Sequence, residues 1–486
     1  MKISPLPIFL LLFVMSICSL SAQSKKTSTA DRVGFTDAAS FGFSPSATGL
    51  ENALALQKAV DLGGTIIVSQ PGTYKLGGTV YLGSHTSLVF GDGVFIKKVN
   101  EKEDFSHVFI NKGAATKTYN EHITVDGLQI IVNGMDVRKF NEAYGLHGQL
   151  AFFYVKDLRI NRFRCLDLGK AQYGIHICTF EDVIIDDVII KGEKDGVHFG
   201  RGKRFTVRNG VFQTFDDAIA LNAHDYATGN PELGWIENGV IENCHDLNAE
   251  NTTGYFCRIL AGAWTDWQEG MAVQQSDAVV SNGKLYRVQA KPDGTIYTSK
   301  TRPTHDKGSQ VLDGINWGVV QNDITYTAGV RNVIFRNIFL EKPRIGLSIH
   351  FDNDKYSRSY YPGAAIPLQE QLSFDNVRVL HNKPIPFLSI ATPVDLVTIS
   401  NSSIRNNTIK FVSNKAMTDY LKTSITIYGC SFHNDGEFEL ITNGVAGKKI
   451  HVKTFGNTEL NDKFSAKVNA GNGQIIIDSD LTGLKK

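Results

Sequence analysis

The stretch that decides the fold runs from Lys194 to Asn222 and reads KDGVHFGRGKRFTVRNGVFQTFDDAIALN. It holds Asp195 at a turn, an alternating strand pattern, and the adjacent carboxylates Asp216 and Asp217 before an apolar run. Asp195 and Asp216 are 21 positions apart. If these residues form one coil of a stacked parallel sheet, its two ends return to equivalent places about 4.8 Å apart. The sequence therefore predicts three carboxylates on one patch.

The same pattern recurs beyond residue 120 as an alternating strand, a turn with Asn, Asp or Gly, and a second apolar strand. The copies are HITVDGLQIIV from His122, KDLRINRFRCLDL from Lys156, EDVIIDDVII from Glu181, KRFTVRNGVF from Lys203, LGWIENGVIENC from Leu233, RNVIFRNIFL from Arg331, EQLSFDNVRVL from Glu370, DLVTISNSSI from Asp395 and TSITIYGCSF from Thr423. Starts in the central run are 25, 22 and 30 residues apart, a spacing typical of solenoid coils. A single coil cannot bury its own inward side chains, so stacked neighbours must do it jointly. Asn at the junctions favours left-handed corners and ladders between coils. We therefore predict an all-β protein, a right-handed parallel β-helix.

The segment from residue 35 to residue 90 fits this architecture. Apolar residues at helical spacing predict a helix over Leu50 to Asp61, stopped by Gly63-Gly64. Short strands bounded by glycine follow at 65–68, 79–82 and 87–90. A helix here would cover the open end of the sheet stack, whose edge otherwise invites pairing. This opening resembles that of the pectate-lyase-type β-helices.

Composition and targeting signals limit the setting. Lys and Arg number 50 against 49 for Asp and Glu, so the net charge of +1 gives no global reason to expect nucleic acid as partner. Residues 1–22 have the layout of a secretory signal peptide, which predicts a secreted or periplasmic protein. No other segment is long and apolar enough to span a membrane. The five remaining cysteines show no CxxC pair, which favours buried core side chains.

One segment, from 262 to 320, breaks the coil rhythm and gathers tryptophan and tyrosine with glycine and proline. It predicts an inserted β subdomain between a first β-helix part, 23–261, and a second, 321–486. Its aromatic residues either form a core of their own or stack on sugar rings beside the carboxylates. For the second role, Trp264 and Trp267 are the predicted substrate-binding residues.

The motif DGVHFGRGKRFTVRNGVFQTFDDAIAL resembles the polygalacturonases of glycoside hydrolase family 28, in which a coil with an Asn-Thr-Asp turn precedes an Asp-Asp pair. The resemblance implies inverting hydrolysis of glycosidic bonds, with Asp217 as general acid and Asp195 and Asp216 on the base side. The fold-level resemblance covers about residues 35 to 440, whereas the motif match is confined to these three residues. Thr253 to Arg258 stand where the family has Gly-His-Gly, and the Arg-Ile-Lys motif has no clear counterpart.

Other residues would line the groove. Arg258 would pair with a uronate or sulfate group, and Tyr255 would hydrogen-bond substrate. His224 and His198 are further substrate-binding candidates, although a histidine within a strand is more often structural. His350 with Asp352 and Asp354 is a weak cation signal, so we predict neither a metal nor a cofactor.

Three functions remain open at this point. The first is hydrolysis of a uronic-acid-containing polysaccharide or oligosaccharide, pectin-like or ulvan-like. The second is β-elimination by a lyase or dehydratase that forms an unsaturated uronic acid, with Tyr255, His224 and Arg258 as its machinery. The third is a non-catalytic sugar-binding solenoid. We expect an acidic polysaccharide or oligosaccharide as partner, no nucleic acid, and a monomer.

Overall fold

Short parallel strands, stacked coil upon coil, form the framework of the chain in the computed structural model, which describes residues 34–250, 253–412 and 423–485. The predicted signal peptide, residues 1–22, lies outside the described residues. Residues Phe35–Lys486 form one unit. Among the described residues, no helix has the length and hydropathy needed to cross a bilayer.

The predicted capping helix is present as α1, Gly49–Val60. Thr48 begins it with a capping box, in which its side chain accepts from the Glu51 N–H and the Glu51 carboxylate accepts from the Thr48 N–H. Short 3-10 helices lie at Ala38–Phe41 and Lys112–Ala114. The apolar face of α1 packs into the same core as the first coils.

The strands are numbered in chain order. In the first part they are β1 Phe35–Asp37, β2 Gly64–Val68, β3 Gly72–Leu76, β4 Val80–Leu82, β5 Thr86–Phe90, β6 Val94–Lys98, β7 Phe109–Asn111, β8 Asn120–Asp126, β9 Gln129–Ile131, β10 Gly148–Asn161, β11 Arg164–Leu168, β12 Tyr173–Gly192, β13 Val197–Phe199, β14 Gly202–Thr214, β15 Ile219–Asn222, β16 Ile236–Asp246 and β17 Cys257–Leu260. In the insertion they are β18 Gly262–Ala263, β19 Thr265–Asp266, β20 Met271–Val273, β21 Ala278–Ser281, β22 Lys284–Val288, β23 Tyr297–Ser299, β24 Ser309–Leu312, β25 Ile315–Gln321 and β26 Thr327–Ala328. In the second part they are β27 Val330–Leu340, β28 Leu347–His350, β29 Glu370–Val379, β30 Leu388–Ile390, β31 Leu396–Ser400, β32 Ser403–Arg405, β33 Ile409–Phe411, β34 Thr423–Tyr428, β35 Ser431–His433, β36 Glu437–Asn443, β37 Lys449–Phe455, β38 Thr458–Glu459, β39 Ser465–Asn469, β40 Gln474–Asp478 and β41 Leu484–Lys485.

Strands β1–β17 and β27–β41 form one sheet of 32 strands among the described residues, paired in parallel from coil to coil. The prediction of a right-handed parallel β-helix is confirmed. Central coils repeat after 25 residues (β10 to β12) and 22 residues (β12 to β14), as predicted, but the next repeat takes 34 instead of 30. The extra residues lie in the loop after β15, which becomes part of the site.

Asparagine residues at the corners adopt left-handed backbone and stack between coils, as predicted. Asn209, Asn243, Asn337 and Asn376 have φ of 56°, 54°, 53° and 53°. Their side-chain amides join in sequence at 3.3, 2.8 and 2.7 Å. Left-handed backbone suits asparagine better than residues with a bulkier Cβ, and the ladder satisfies amides that the neighbouring coils partly bury.

Replacing Asn337 with Ala is expected to lower the free energy of unfolding by about 2–3 kcal/mol, since the substitution puts a Cβ residue at positive φ and removes two hydrogen bonds. Asn337→Gly loses the same hydrogen bonds but accepts the backbone angle, so its deficit should be smaller. Guanidinium unfolding of both variants measures the difference. Equal midpoints for the two would contradict the role given to the backbone angle.

The strands of the insertion lie outside the large sheet, in a five-stranded sheet and two two-stranded sheets. Trp267, Tyr286 and Trp317 form a separate core with neighbouring aliphatic residues. Pairing of the β-helix resumes at once beyond it, because β16 pairs directly with β27 across 94 residues of sequence. We keep the division at 262 and 320 as a proposal for domain organisation.

The cysteines of the described residues occupy core positions. Cys165, Cys178, Cys244, Cys257 and Cys430 are all buried, the environment predicted for them. Burial raises the pKa of the Cys165 and Cys244 thiols to about 12. These side chains therefore serve as small apolar groups of the core.

Candidate active site

Neighbouring strands of one ladder, β13, β15, β17 and β28, carry the residues singled out from the sequence. The register pairs Val197 with Ile219, so this coil is 22 residues long. Asp195 therefore lies level with Asp217, and not with Asp216 as the 21-residue spacing predicted. The two carboxylates occupy equivalent positions on adjacent coils.

The structure brings the three carboxylates together. One oxygen from each of Asp195, Asp216 and Asp217 lies within 4.8 Å of the other two. Asp195 and Asp217 are only 3% and 2% exposed, whereas the Asp216 side chain is 27% exposed. Lys194 forms an ion pair with Asp216, and its Nζ lies 3.8 Å from an Asp195 oxygen. A single ammonium group leaves the cluster with excess negative charge, which disfavours ionisation of all three acids.

The surroundings shift the pKa values of the three acids in different directions. Burial, and then the charges of Asp216 and Asp195, raise the pKa of Asp217 well above its ordinary value. Burial acts in the same direction on Asp195, but the Lys194 charge and the hydrogen bond to His198 outweigh it and lower the pKa of Asp195 to about 2. Burial and the Asp195 charge also raise the pKa of Asp216. The pKa values of Asp217 and Asp195 thus move in opposite directions, which favours a protonated Asp217 beside an ionised Asp195.

His198 lies beneath the cluster, fully buried, and bridges two carboxylates. Its Nδ1 is 2.8 Å from Asp195 Oδ2, and its Nε2 is 3.4 Å from Asp225 Oδ2. The Asn222 amide and the Tyr226 backbone N–H each donate to Asp225 at 2.7 Å. Burial opposes protonation of the imidazole, yet the two carboxylates outweigh it and raise the pKa of His198. The predicted substrate contact is therefore corrected: burial withholds His198 from substrate, and its contact positions Asp195.

The separation within the carboxylate cluster bears on stereochemistry. Inverting glycosidases hold acid and base roughly 6.5–9.5 Å apart, which leaves room for a water between them. The oxygens here lie within 4.8 Å of one another, which is shorter than that range. The closest oxygens are therefore nearer to one another than that separation, and a water activated by Asp195 would have to enter from the cavity above the cluster.

Arg258 is engaged by a carboxylate of the next coil. Its Nη2 donates to both oxygens of Asp352 at 2.6 Å, and His350 Nε2 lies 3.5 Å from the same carboxylate. Ser348 Oγ is 2.9 Å from His350 Nδ1. Although burial opposes it, the Arg258 charge lowers the pKa of Asp352. An anionic group of a substrate that binds Arg258, as predicted, would have to share the guanidinium with Asp352. The Asp352 carboxylate, which the sequence suggested weakly as a cation ligand, has Arg258 as its cationic partner.

Tyr255 and His224 are the bases considered for elimination, and only Tyr255 lies where a substrate could reach it. The Tyr255 backbone N–H donates to Asp217 Oδ1 at 2.8 Å. Burial, followed by the Asp217 charge, raises the pKa of the Tyr255 hydroxyl, which disfavours a phenolate. His224 is 1% exposed, and burial together with the Arg287 charge lowers its pKa to about 4. Its burial withholds it from a substrate.

The two tryptophans predicted to stack on sugars lie in the interior. Trp264 is 1% and Trp267 7% exposed. Their Nε1 atoms donate to the Thr325 carbonyl at 2.5 Å and to Ser299 Oγ at 2.8 Å. Their ring faces are covered by the insertion and the core, so the structure does not offer them to a substrate. Sequence alone cannot distinguish a core tryptophan from one that lines a cleft.

A buried clamp that the sequence did not reveal holds the turn bearing Asp216. Arg344 Nη1 donates to the Asp216 carbonyl at 2.8 Å, while its Nη2 donates to Asp246 at 2.9 Å. Lys342 donates to the Thr214 carbonyl and lies 3.5 Å from Asp246. The clamp reaches across 128 residues of sequence, so no local pattern announces it.

Two cavities meet above the carboxylates. The first, here named the enclosed cavity, has a volume of about 390 Å³ and is lined by Arg138, Tyr173, Lys194, Asp195, Asp216, Tyr226, Thr228, Arg258, Gln275, Ala290, Pro292, Asp352, Asp354 and Tyr356. The second, the outer groove, has a volume of about 770 Å³ and is lined by Asp216, Asp217, Thr253, Gly254, Tyr255, Arg258, His350, Phe351, Asp352, Asn353, Asp354, Tyr356, Ala391 and Val412. Asp216 lines both. A further cavity of about 740 Å³ joins them at Asp216 and carries Lys170 and Lys191.

The carboxylate cluster has the composition of a cation site, but its chemistry fits poorly. Lys194 already supplies a positive charge to Asp216 and lies near Asp195. The raised pKa of Asp217 disfavours its ionised form, which is the form that binds a metal. The arrangement fits acid–base chemistry between carboxyl groups better than metal coordination.

No family model matches the sequence, and no curated protein matches it. Among solved structures, the surface adhesin PfbA of Streptococcus pneumoniae is similar at 13% identity and a TM-score of 0.50, over 92% of this chain and 93% of that chain. An exopolygalacturonase of Thermotoga maritima matches at 12% identity and a TM-score of 0.45, over 92% of each chain. The family 28 exopolygalacturonase of Yersinia enterocolitica matches at 10% identity and a TM-score of 0.44, over 92% of this chain and 78% of that chain. At 13% identity, the likeness to PfbA concerns the fold alone.

Proposed function

We propose that this protein is a carbohydrate-active enzyme that hydrolyses glycosidic bonds in a uronic-acid-containing polysaccharide or oligosaccharide. Asp217 acts as general acid and protonates the leaving-group oxygen. Asp195 acts as general base on the attacking water. Asp216 is paired with Lys194 and lines both cavities.

The observation that carries the proposal is the opposite direction of two pKa shifts at adjacent sites. Burial and neighbouring carboxylates raise the pKa of Asp217, while Lys194 and His198 hold that of Asp195 at about 2. Glycoside hydrolysis needs a protonated and an ionised carboxyl group at the same bond. Two carboxyl groups in the same environment would have similar pKa values. The different surroundings of Asp217 and Asp195 favour the acid role for the first and the base role for the second.

The choice of an anionic substrate rests on individual cations and not on a cationic surface. The enclosed cavity is lined by Arg138, Lys194 and Arg258, but also by the carboxylates of Asp195, Asp216, Asp352 and Asp354. Lys194 and Arg258 are each paired with one of these carboxylates. An anionic group of the substrate would therefore be recognised by a specific contact, since the net charge of the lining does not attract it.

The two other functions considered from the sequence have weaker support. Elimination needs an accessible base. The raised pKa of the Tyr255 hydroxyl disfavours a phenolate, and His224 is buried. The sugar-binding solenoid was suggested by the tryptophans of the insertion, and their rings are covered.

Incubation with a panel of uronate-containing plant and algal polysaccharides tests the reaction class. Hydrolysis is expected to give products that have gained one water at each cut, without new ultraviolet absorbance. Elimination would produce a conjugated double bond, and its absorbance would refute hydrolysis. Binding without turnover would favour the non-catalytic solenoid. Proton NMR of the first products reads the anomeric configuration: inversion supports Asp195 as the base that activates water, and retention would make it the nucleophile instead.

A further inference from the structure

The enclosed cavity is walled by segments that are far apart in sequence. Arg138 comes from the loop before β10, Tyr226 from the loop after β15, Pro292 from the insertion and Tyr356 from the loop after β28. Asp195 lies at its floor. A volume of about 390 Å³ is near the lower end for small-molecule sites, so the cavity suits a sugar unit better than the middle of a polymer.

The insertion is fastened to two of these walls by buried charges. Arg287, 2% exposed, donates to backbone carbonyl oxygens of loop 225–230 at 2.6, 3.2 and 3.3 Å. Arg358 Nε donates to the buried Asp277 at 2.8 Å and ties the insertion to the loop that carries Tyr356. The wall formed by the insertion is therefore fixed in place and closes the cavity on that side.

The two catalytic carboxyl groups face different cavities, which orients the substrate. Asp195 lines the enclosed cavity, and Asp217 lines the outer groove. A general acid protonates the leaving sugar, while the base activates water against the sugar that keeps the anomeric carbon. The sugar under attack therefore belongs in the enclosed cavity, and the remainder of the chain in the outer groove. With this orientation, the sugar in the enclosed cavity is the non-reducing end of the chain.

Among the three cations of the enclosed cavity, Arg138 differs from the other two. Lys194 is paired with Asp216, and Arg258 with Asp352. Arg138 donates from Nε to the Ala171 carbonyl at 2.8 Å and has no carboxylate partner among the described residues. Its two terminal nitrogens remain able to form the planar pair of hydrogen bonds that a carboxylate or sulfate accepts.

We propose that the enclosed cavity binds the non-reducing terminal sugar of the substrate and that Arg138 recognises the anionic group of that sugar. The enzyme then shortens chains from that end. This inference rests on the proposed hydrolysis for its direction of attack, whereas the anion site at Arg138 stands on binding alone. The shared ligand chemistry is a planar or tetrahedral oxyanion on a sugar, a carboxylate or a sulfate ester.

Substitution of Arg138 tests the anion site. Arg138→Gln is expected to raise the KM for uronate oligosaccharides about 10- to 100-fold, the value of a charge-assisted hydrogen bond, and to leave kcat nearly unchanged. Arg138→Lys should recover part of the loss, since it keeps the charge but not the planar geometry. Arg159→Gln, at an exposed arginine of β10, is the matched control and should behave as wild type. An unchanged KM in Arg138→Gln would overturn the anion site.

Calorimetry separates this site from the proposed reaction. The Asp217→Asn protein is titrated with a methyl uronide, a sulfated neutral methyl glycoside and the plain neutral glycoside. Binding of either anionic sugar, lost in an Arg138→Gln background, supports the site even if no hydrolysis is ever found, and the preferred ligand identifies the anion. Equal binding of all three sugars overturns it.

The direction of attack is read from oligosaccharides labelled at the reducing end. Chains that shorten from the first time point, retain their label and release unlabelled single residues support the orientation. Early release of labelled or internal fragments of mixed length overturns it.

Discussion

Asp217→Asn is expected to lower kcat for polysaccharide hydrolysis by about 10²–10⁴-fold, the usual contribution of a general acid. The amide has the shape of the carboxyl group and can still accept the Tyr255 N–H at Oδ1, so the turn should be preserved. It cannot release a proton to the leaving-group oxygen. Steady-state kinetics of the purified variant measure the loss, and circular dichroism confirms that the fold is retained.

Leaving-group chemistry shows whether the loss comes from the acid role. An aryl uronide with a good leaving group needs little protonation, so Asp217→Asn should hydrolyse it with a much smaller deficit than it shows on polysaccharide. Asp478→Asn changes an exposed carboxylate of β40 and serves as the matched control. A deficit of equal size on both substrates would assign Asp217 to another step, and full activity on polysaccharide would remove it from the mechanism.

The sequence predicted the fold well because a solenoid repeats its physical solution at each coil. Inward aliphatic residues, Asn corners and the capping helix are local signals, and each coil presents them again. The register is less local. The pairing of Asp195 with Asp217 differs by one residue from the 21-residue spacing, since a corner absorbs residues without changing the strand pattern.

The sequence predicted the three carboxylates of the site but not the residues that contact and surround them. Asp195 lies one coil before Asp216 and Asp217, so their proximity follows from the repeat. The partner of Arg258 is Asp352, which lies 94 residues later because the insertion separates two adjacent coils. Arg138 lies in a loop without a motif. The sequence predicts which residues are partners on adjacent coils only if the number of residues per coil is known, and an insertion of unknown length hides that number.

Replacing His198 with Gln is expected to lower the free energy of unfolding by about 3–5 kcal/mol near pH 6, the cost of removing one partner from a buried ion pair. His198 lies between Asp195 and Asp225, and all three are almost completely buried. Glutamine donates one hydrogen bond but supplies no charge, so two buried carboxylates lose a shared cation. Denaturant unfolding of the variant and wild type at several pH values measures the deficit.

The pH dependence identifies charge as the cause. The pKa of folded His198 is raised above its unfolded value of about 6.5, so its stabilisation is fully present below that value and is lost as pH rises through the folded pKa. The deficit of His198→Gln should therefore shrink in alkaline solution, where neutral imidazole and glutamine both act as simple donors. His122→Gln is the matched control, because His122 meets Asp157 at 2.7 Å at the surface and its loss should cost about 1 kcal/mol or less. A His198→Gln deficit that stays constant with pH would mean that the imidazole is neutral in the native protein, and that Lys194 alone keeps Asp195 ionised.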